Sequence, residues 1–140
     1  MRPYITHDVI GKHLRGDEHI GLYSLGDDDT CWWVEADFDK DSAMLDALAY
    51  LKAARAQNVP AALEVSQSGH GAHVWIFFAQ ATSASVARQI ATSLLGEAFQ
   101  LRGSMHLSSY DRLFPSQDVH SGRGMGNLIA APLFPLDRHG

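Results

Sequence analysis

The chain has 140 residues, 46% hydrophobic and 19% charged, and a formal net charge of −5. That is one domain, residues 1–140, with a single core and an ordinary globular composition; no apolar run reaches the roughly 20 residues of a membrane span, and Met1-Arg2-Pro3-Tyr4 lacks the apolar stretch of a secretion signal, so cytoplasmic residence and no membrane partner are expected. The single Cys31 excludes an internal disulfide and a cysteine zinc cage, and the acidic balance argues against a generally basic, nucleic-acid-coating surface, although Arg102, Arg112 and Arg123 lie in the C-terminal third.

The opening segment, through Leu14-Arg15-Gly16, reads as a short helix and a turn. Gly21 to Leu25 is a short strand, Gly26-Asp27-Asp28-Asp29 a turn, and Cys31 to Asp39 a central strand, apolar almost throughout. A helix follows, capped by Asp41 or Ser42, with Met44, Leu45, Leu48 and Leu51 as its apolar stripe, and Asn58-Val59-Pro60 stops it. Ala61 to Ser66 and Ala72 to Phe78 are strands joined by Ser68-Gly69-His70-Gly71, hence a hairpin. Thr82 or Ser83 caps a further helix with Val86, Ile90, Leu94 and Leu95 on its apolar face. The remainder is rich in Gly and Pro, with one apolar run at Leu128-Ile129-Ala130-Ala131. The order β-β-α-β-β-α-β predicts an α+β fold: helices on one face of a mainly antiparallel sheet, with the site on the open face.

Val34-Glu35-Ala36-Asp37-Phe38-Asp39 carries the first chemical signal. Residues i and i+2 of a strand share a face, so Asp37 and Asp39 aim at one spot. Two carboxylates so close repel unless a cation lies between them, and hard divalent ions prefer all-oxygen ligands. A solvated strand end running into a helix cap is the alternative. In Ser68-Gly69-His70-Gly71-Ala72-His73 the glycines let backbone approach a ligand, and successive amides can form an anion nest; a plain hairpin turn is the alternative. The third segment is Tyr110-Asp111-Arg112-Leu113-Phe114-Pro115-Ser116-Gln117-Asp118, followed by Gly122-Arg123-Gly124. Asp111 and Asp118 are both candidates for a third carboxylate, and Gln117 and Arg123 for phosphates or bases, against a surface loop of solvated charges.

In this order the three segments resemble the archaeo-eukaryotic primase superfamily: a hydrophobic strand ending in Asp-x-Asp, a Ser-Gly-x-Gly-x-His turn, then a carboxylate upstream of a short apolar strand ending in Pro, here Asn127-Leu128-Ile129-Ala130-Ala131-Pro132. His13-Leu14-Arg15-Gly16, Gly21-Leu22-Tyr23-Ser24-Leu25 and Phe114-Pro115-Ser116-Gln117-Asp118 are similar to the branch found in TOTE conflict systems and CRISPR-associated primase-polymerases. The resemblance implies an RRM-like primase core and a nucleotidyltransferase that joins nucleoside triphosphates on a single-stranded DNA or RNA template with Mg²⁺ or Mn²⁺. It implies Asp37, Asp39 and Asp118 as catalytic metal carboxylates, with Asp111 as runner-up. Ser68, Gly69, Gly71, His73 and Arg123 would bind the nucleotide. Related chains often continue into a helicase, so a helicase or nuclease partner is expected, and the chain is a minimal, truncated or degenerate copy. Primases outside this branch often carry a basic residue in the last apolar strand; here Ala130 and Ala131 stand there, leaving phosphate neutralisation to Arg112 or Arg123, or to a segment outside this sequence. Two other readings stay open: a metal-dependent nuclease, and a non-catalytic nucleic-acid-binding module that stacks bases on Trp33, Trp75 and Phe77.

Overall fold

A computed structural model describes residues 5–103, 109–119 and 128–135. The elements are α1 (His7–Arg15), β1 (Gly21–Tyr23), β2 (Thr30–Phe38), α2 (Ala43–Ala56), β3 (Ala62–Val65), β4 (Ala72–Ser83), α3 (Ala84–Arg102), β5 (Tyr110–Phe114) and β6 (Leu128–Ala130). Four strands form an antiparallel sheet in the order β3-β4-β2-β5, and β1 pairs antiparallel with β6 in a separate ribbon. The fold is α+β, as the alternation of elements predicts.

Alternation divides the sheet into two faces. Val34, Ala36 and Phe38 of β2, Ala72, Val74 and Ile76 of β4 and Leu113 of β5 bury against α2 and α3. The helices meet this face and each other through alanine: Ala47, Ala54, Ala87, Ala91 and Ala98 are fully buried. Tyr50 spans the layer and donates its hydroxyl to the Ala91 carbonyl at 3.2 Å. The stripe expected on α2 is therefore corrected. Leu51 is buried, but Met44, Leu45 and Leu48 are exposed, because the close helix–sheet approach leaves room only for small side chains. On α3, Val86 is likewise exposed while Leu94 and Leu95 are buried.

β5 is the element the sequence reading did not resolve. It is a sheet edge whose Asp111 and Arg112 are exposed, so it lacks the apolar alternation of the inner strands. The other face of the sheet is partly roofed. Ile129 of β6 and Leu22 of β1 pack on Trp75, Phe114 and Trp33. His13 of α1 fastens the return of the chain: it accepts from Ile20 N–H through Nδ1 at 3.3 Å and donates from Nε2 to the Pro132 carbonyl at 2.9 Å. Among the described residues no helix is long and apolar enough to cross a membrane.

Candidate active site

Residues opposed across an antiparallel ladder share a face. Glu64 of β3 is opposite His73 of β4, His73 is opposite Asp37 of β2, and Asp37 is opposite Arg112 of β5. These four side chains make a polar row across the whole sheet on the face away from α2 and α3. The next row is Ala62, Trp75, Glu35 and Phe114, and beyond it Trp33 faces Phe77. A line of charge thus abuts a bed of aromatic rings. Trp75 stacks on Phe77, with centroids 5.9 Å apart and planes 2° from parallel, and Phe77 stays 59% exposed.

His73 is held between two carboxylates. Its Nε2 lies 3.3 Å from Asp37 Oδ1 and its Nδ1 lies 3.1 Å from Glu64 Oε1. Burial alone would lower its pKa, but the hydrogen bonds to Asp37 and Glu64 outweigh it and carry the value up to about 10. Glu64 also accepts from Trp75 Nε1 at 3.1 Å and from Leu133 N–H at 2.8 Å. Burial pushes its carboxyl up, and these bonds with His73 bring it below the ordinary range.

Glu35 was not singled out in the sequence, because an acid inside an apolar run reads as a strand residue among others. The available signal was parity: Glu35 and Asp37 are two residues apart in β2, so both belong to one face. Glu35 is wholly buried, and among the described residues neither carboxylate oxygen has a hydrogen-bond partner. Burial holds its carboxyl well above the ordinary range; His73 opposes this, while Asp37, Glu64 and Asp111 add to it. Glu35, Asp37 and His73 each offer one ligand atom within 4.8 Å of the others.

Asp39 follows the end of β2 and is exposed, and its Oδ1 accepts the Lys40 N–H at 2.8 Å. The two candidates for a third carboxylate part company. Asp118 pairs with Arg88 Nη1 at 2.6 Å and lines an open cavity with Ser85, Gln89 and Thr92 of α3. Asp111 is the extra residue of a β-bulge, since Asp37 pairs with Arg112 and Phe38 with Tyr110. Its charge reaches Glu35, and its carboxylate lies 3.5 Å from Arg112. Arg123 lies outside the described residues.

The glycine turn is internally bonded. Gly69 N–H donates to Ser66 O, Gly71 N–H to Ser66 Oγ, and His70 N–H to Ser68 Oγ. Gly69 needs its left-handed φ of +78°, and a Cβ on Gly71 would stand 2.9 Å from Phe38 O, so both glycines are required by geometry. The turn borders a cavity of about 350 Å³ lined by Gly69, His70, Gly71, Lys40, Asp41 and Met44. Lys40 is a second residue that sequence reasoning passed over, although it directly follows Asp39.

No curated protein matches the chain. A family model described as "TOTE conflict system, Archaeo-Eukaryotic Primase domain" matches residues 2–139, nearly the whole length. The chain belongs to the archaeo-eukaryotic primase domain family of TOTE conflict systems.

Proposed function

We propose that the chain is a template-directed nucleotidyltransferase acting on the open face of its sheet. Primase-like nucleotidyl transfer and dependence on divalent metal are general to the family. The observation that carries the reading is the polar row centred on Asp37, with Asp39 two residues on and the glycine-turn cavity beside it. The donor set suits cations: Asp37 belongs to a group of side chains whose ligand atoms converge within 4.8 Å, and Asp39 and Asp111 flank it with further carboxylates.

Asp37 and Asp39 would hold the metal ions, with Asp111 as the third carboxylate. Asp111 is favoured over Asp118 because it sits in the β5 bulge next to Arg112, the residue opposite Asp37, whereas Asp118 is paired with Arg88 of α3. Bound divalent ions supply activation of a 3′-hydroxyl and charge neutralisation of the leaving pyrophosphate. The hydroxyl oxygen bonds to the α-phosphorus as the bond from that phosphorus to the bridging oxygen breaks; the hydroxyl proton goes to water and pyrophosphate leaves with the electron pair. Lys40, Ser68 and the backbone of Gly69 and Gly71 would line the triphosphate path, and Arg112 would add positive charge opposite Asp37. Amide donation from the turn requires the Ser66 and Ser68 hydroxyls to rotate away first. His73 reaches a phosphate only by releasing Asp37 or Glu64. The template strand would cross the aromatic bed, where exposed Phe77 offers a stacking surface.

The test is incorporation of labelled nucleotides on primed and unprimed single-stranded templates with Mg²⁺ or Mn²⁺. Metal-dependent extension with pyrophosphate release, lost in Asp37→Ala and Asp39→Ala, is the expected result. Strand shortening without pyrophosphate would establish a nuclease instead, and metal-independent binding without product a non-catalytic module.

A further inference from the structure

The buried acid Glu35 is not explained by nucleotidyl transfer at Asp37 and Asp39. Both of its oxygens lack a hydrogen-bond partner. Its neighbours across the ladder are Trp75 and Phe114, and the Trp75 N–H is already given to Glu64. Protein interiors rarely leave a carboxylate in this condition, because nothing offsets the loss of its hydration. The polar atoms that converge with it come from Asp37 and His73.

His73 is oriented for one purpose. Glu64 holds its Nδ1, and Glu64 is itself fixed by Trp75 and Leu133, so Nε2 is turned toward Asp37 of β2. Metal-bound imidazoles are commonly backed in this way: a carboxylate takes the N–H on the far side of the ring and aims the other nitrogen at the ion. One imidazole nitrogen and two carboxylate oxygens lie within 4.8 Å of one another, a donor set that suits a cation and not an anion. Mg²⁺ favours oxygen ligands and retains its water, whereas an imidazole with two carboxylates suits a divalent first-row transition ion.

We infer that Glu35, Asp37 and His73 form a binding site for a divalent transition cation of the Mn²⁺ or Zn²⁺ class, with Glu64 as the positioning residue for His73. The site lies one row along β2 from Asp37, on the side away from Asp39 and the glycine turn. It requires no nucleotide and no template. It makes His73 an ion ligand, the cation replacing the Nε2 proton. Because Asp37 belongs to both sets, occupancy fixes that carboxylate in place beneath the proposed transfer site.

The experiment is binding of MnCl₂ and, separately, ZnCl₂ to chelator-stripped full-length chain without nucleotide. Calorimetry reads affinity and stoichiometry, and pulsed electron paramagnetic resonance of bound Mn²⁺ reads coupling to a ligand nitrogen. The wild-type chain should bind one ion per chain at this site, with a nitrogen coupling. Glu35→Gln and His73→Gln should each weaken binding tenfold or more, and the nitrogen signal should vanish in His73→Gln. Glu64→Gln, which keeps all three ligands, should weaken it by about tenfold. Asp39→Asn, which leaves all three ligands in place, should keep the nitrogen coupling of the bound Mn²⁺. Circular dichroism of each variant separates loss of ligand from loss of fold. Wild-type affinity in folded Glu35→Gln, or Mn²⁺ bound with no nitrogen coupling, would overturn the site. Incorporation assays on the same proteins keep the two readings apart: an ion bound without incorporation sinks the transferase and spares the site, and incorporation without an ion at Glu35 does the reverse.

Discussion

Two acids among the described residues are buried, and their surroundings are opposite. Asp46 of α2 accepts from the Ser42 hydroxyl at 2.9 Å, from Arg102 Nε at 2.9 Å, and from both the N–H and the hydroxyl of Ser109. It ties the start of α2 to the end of α3 and to the segment entering β5. Burial pushes its pKa up, but the bonds from Ser109, Ser42 and Arg102 outweigh it and hold the carboxyl below the ordinary range. Glu35 sits among aromatic rings with no partner, and its carboxyl is driven the other way. Equal burial therefore means different things. A carboxylate whose lone pairs are all answered by the protein is a structural clasp, and one left unanswered among the described residues bears the cost of its lost hydration.

The largest effect that can sharpen this contrast lies beside Glu35. Asp37→Asn should cut nucleotide incorporation by about a thousandfold, ~4 kcal/mol of barrier, while barely moving the thermal midpoint, because the amide keeps the shape and still faces His73. Single-turnover incorporation and a melting curve on the same preparation check both halves. Loss of fold in Asp37→Asn would make that face structural and blur the distinction. Next comes the clasp. Asp46→Ala leaves two serine hydroxyls and the Arg102 guanidinium without their acceptor, so unfolding free energy should drop by about 3 kcal/mol and the midpoint by about 10 °C. Chemical denaturation reads it, and an unchanged midpoint would remove Asp46 from the role of clasp.

The difference between the two acids also shows what a sequence exposes. The Gly69 and Gly71 turn joins two strands as read, because it depends on residues close in the chain, whereas β2 ends at Phe38 and leaves Asp39 beyond the ladder. Partnership across the chain was not visible. Asp118 meets Arg88 from thirty positions away, and Glu35 looked like one polar interruption in an apolar run. The buried face of α2 was hidden for another reason. Hydropathy ranks leucine above alanine, yet close packing against α3 selected Ala47 and Ala54 and left Leu45 and Leu48 outside. β5 escaped because an edge strand needs no apolar alternation on its solvent side.

Glu35→Leu tests the unanswered acid by its smaller, opposite effect on stability. In chelator-containing buffer the leucine fills an aromatic surround with no polar group to desolvate, so the variant should be more stable than wild type by about 1–2 kcal/mol. Adding MnCl₂ should narrow or reverse that order, since the wild-type chain has the Glu35 ligand and gains more from the ion. Denaturant melts with and without the ion decide it, and a destabilised Glu35→Leu in chelator would mean that the protein already satisfies Glu35.

The smallest effect is in the pH dependence, and there the sign alone separates the acids. Asp46 has a folded pKa below its unfolded value, so its contribution is complete above about pH 4 and is lost as pH falls through the depressed folded value. The stability gap between wild type and Asp46→Asn should thus be flat from about pH 5 to pH 8 and close on the acid side. Glu35, displaced upward, has no acid-side contribution to lose, so Glu35→Gln should keep the wild-type acid limb. Denaturant midpoints at stepped pH measure both gaps. A gap for Asp46→Asn that stays constant into acid would mean that its partners recognise shape and not charge. The clasp would then be a matter of packing, and its contrast with Glu35 would rest on hydrogen-bond count alone.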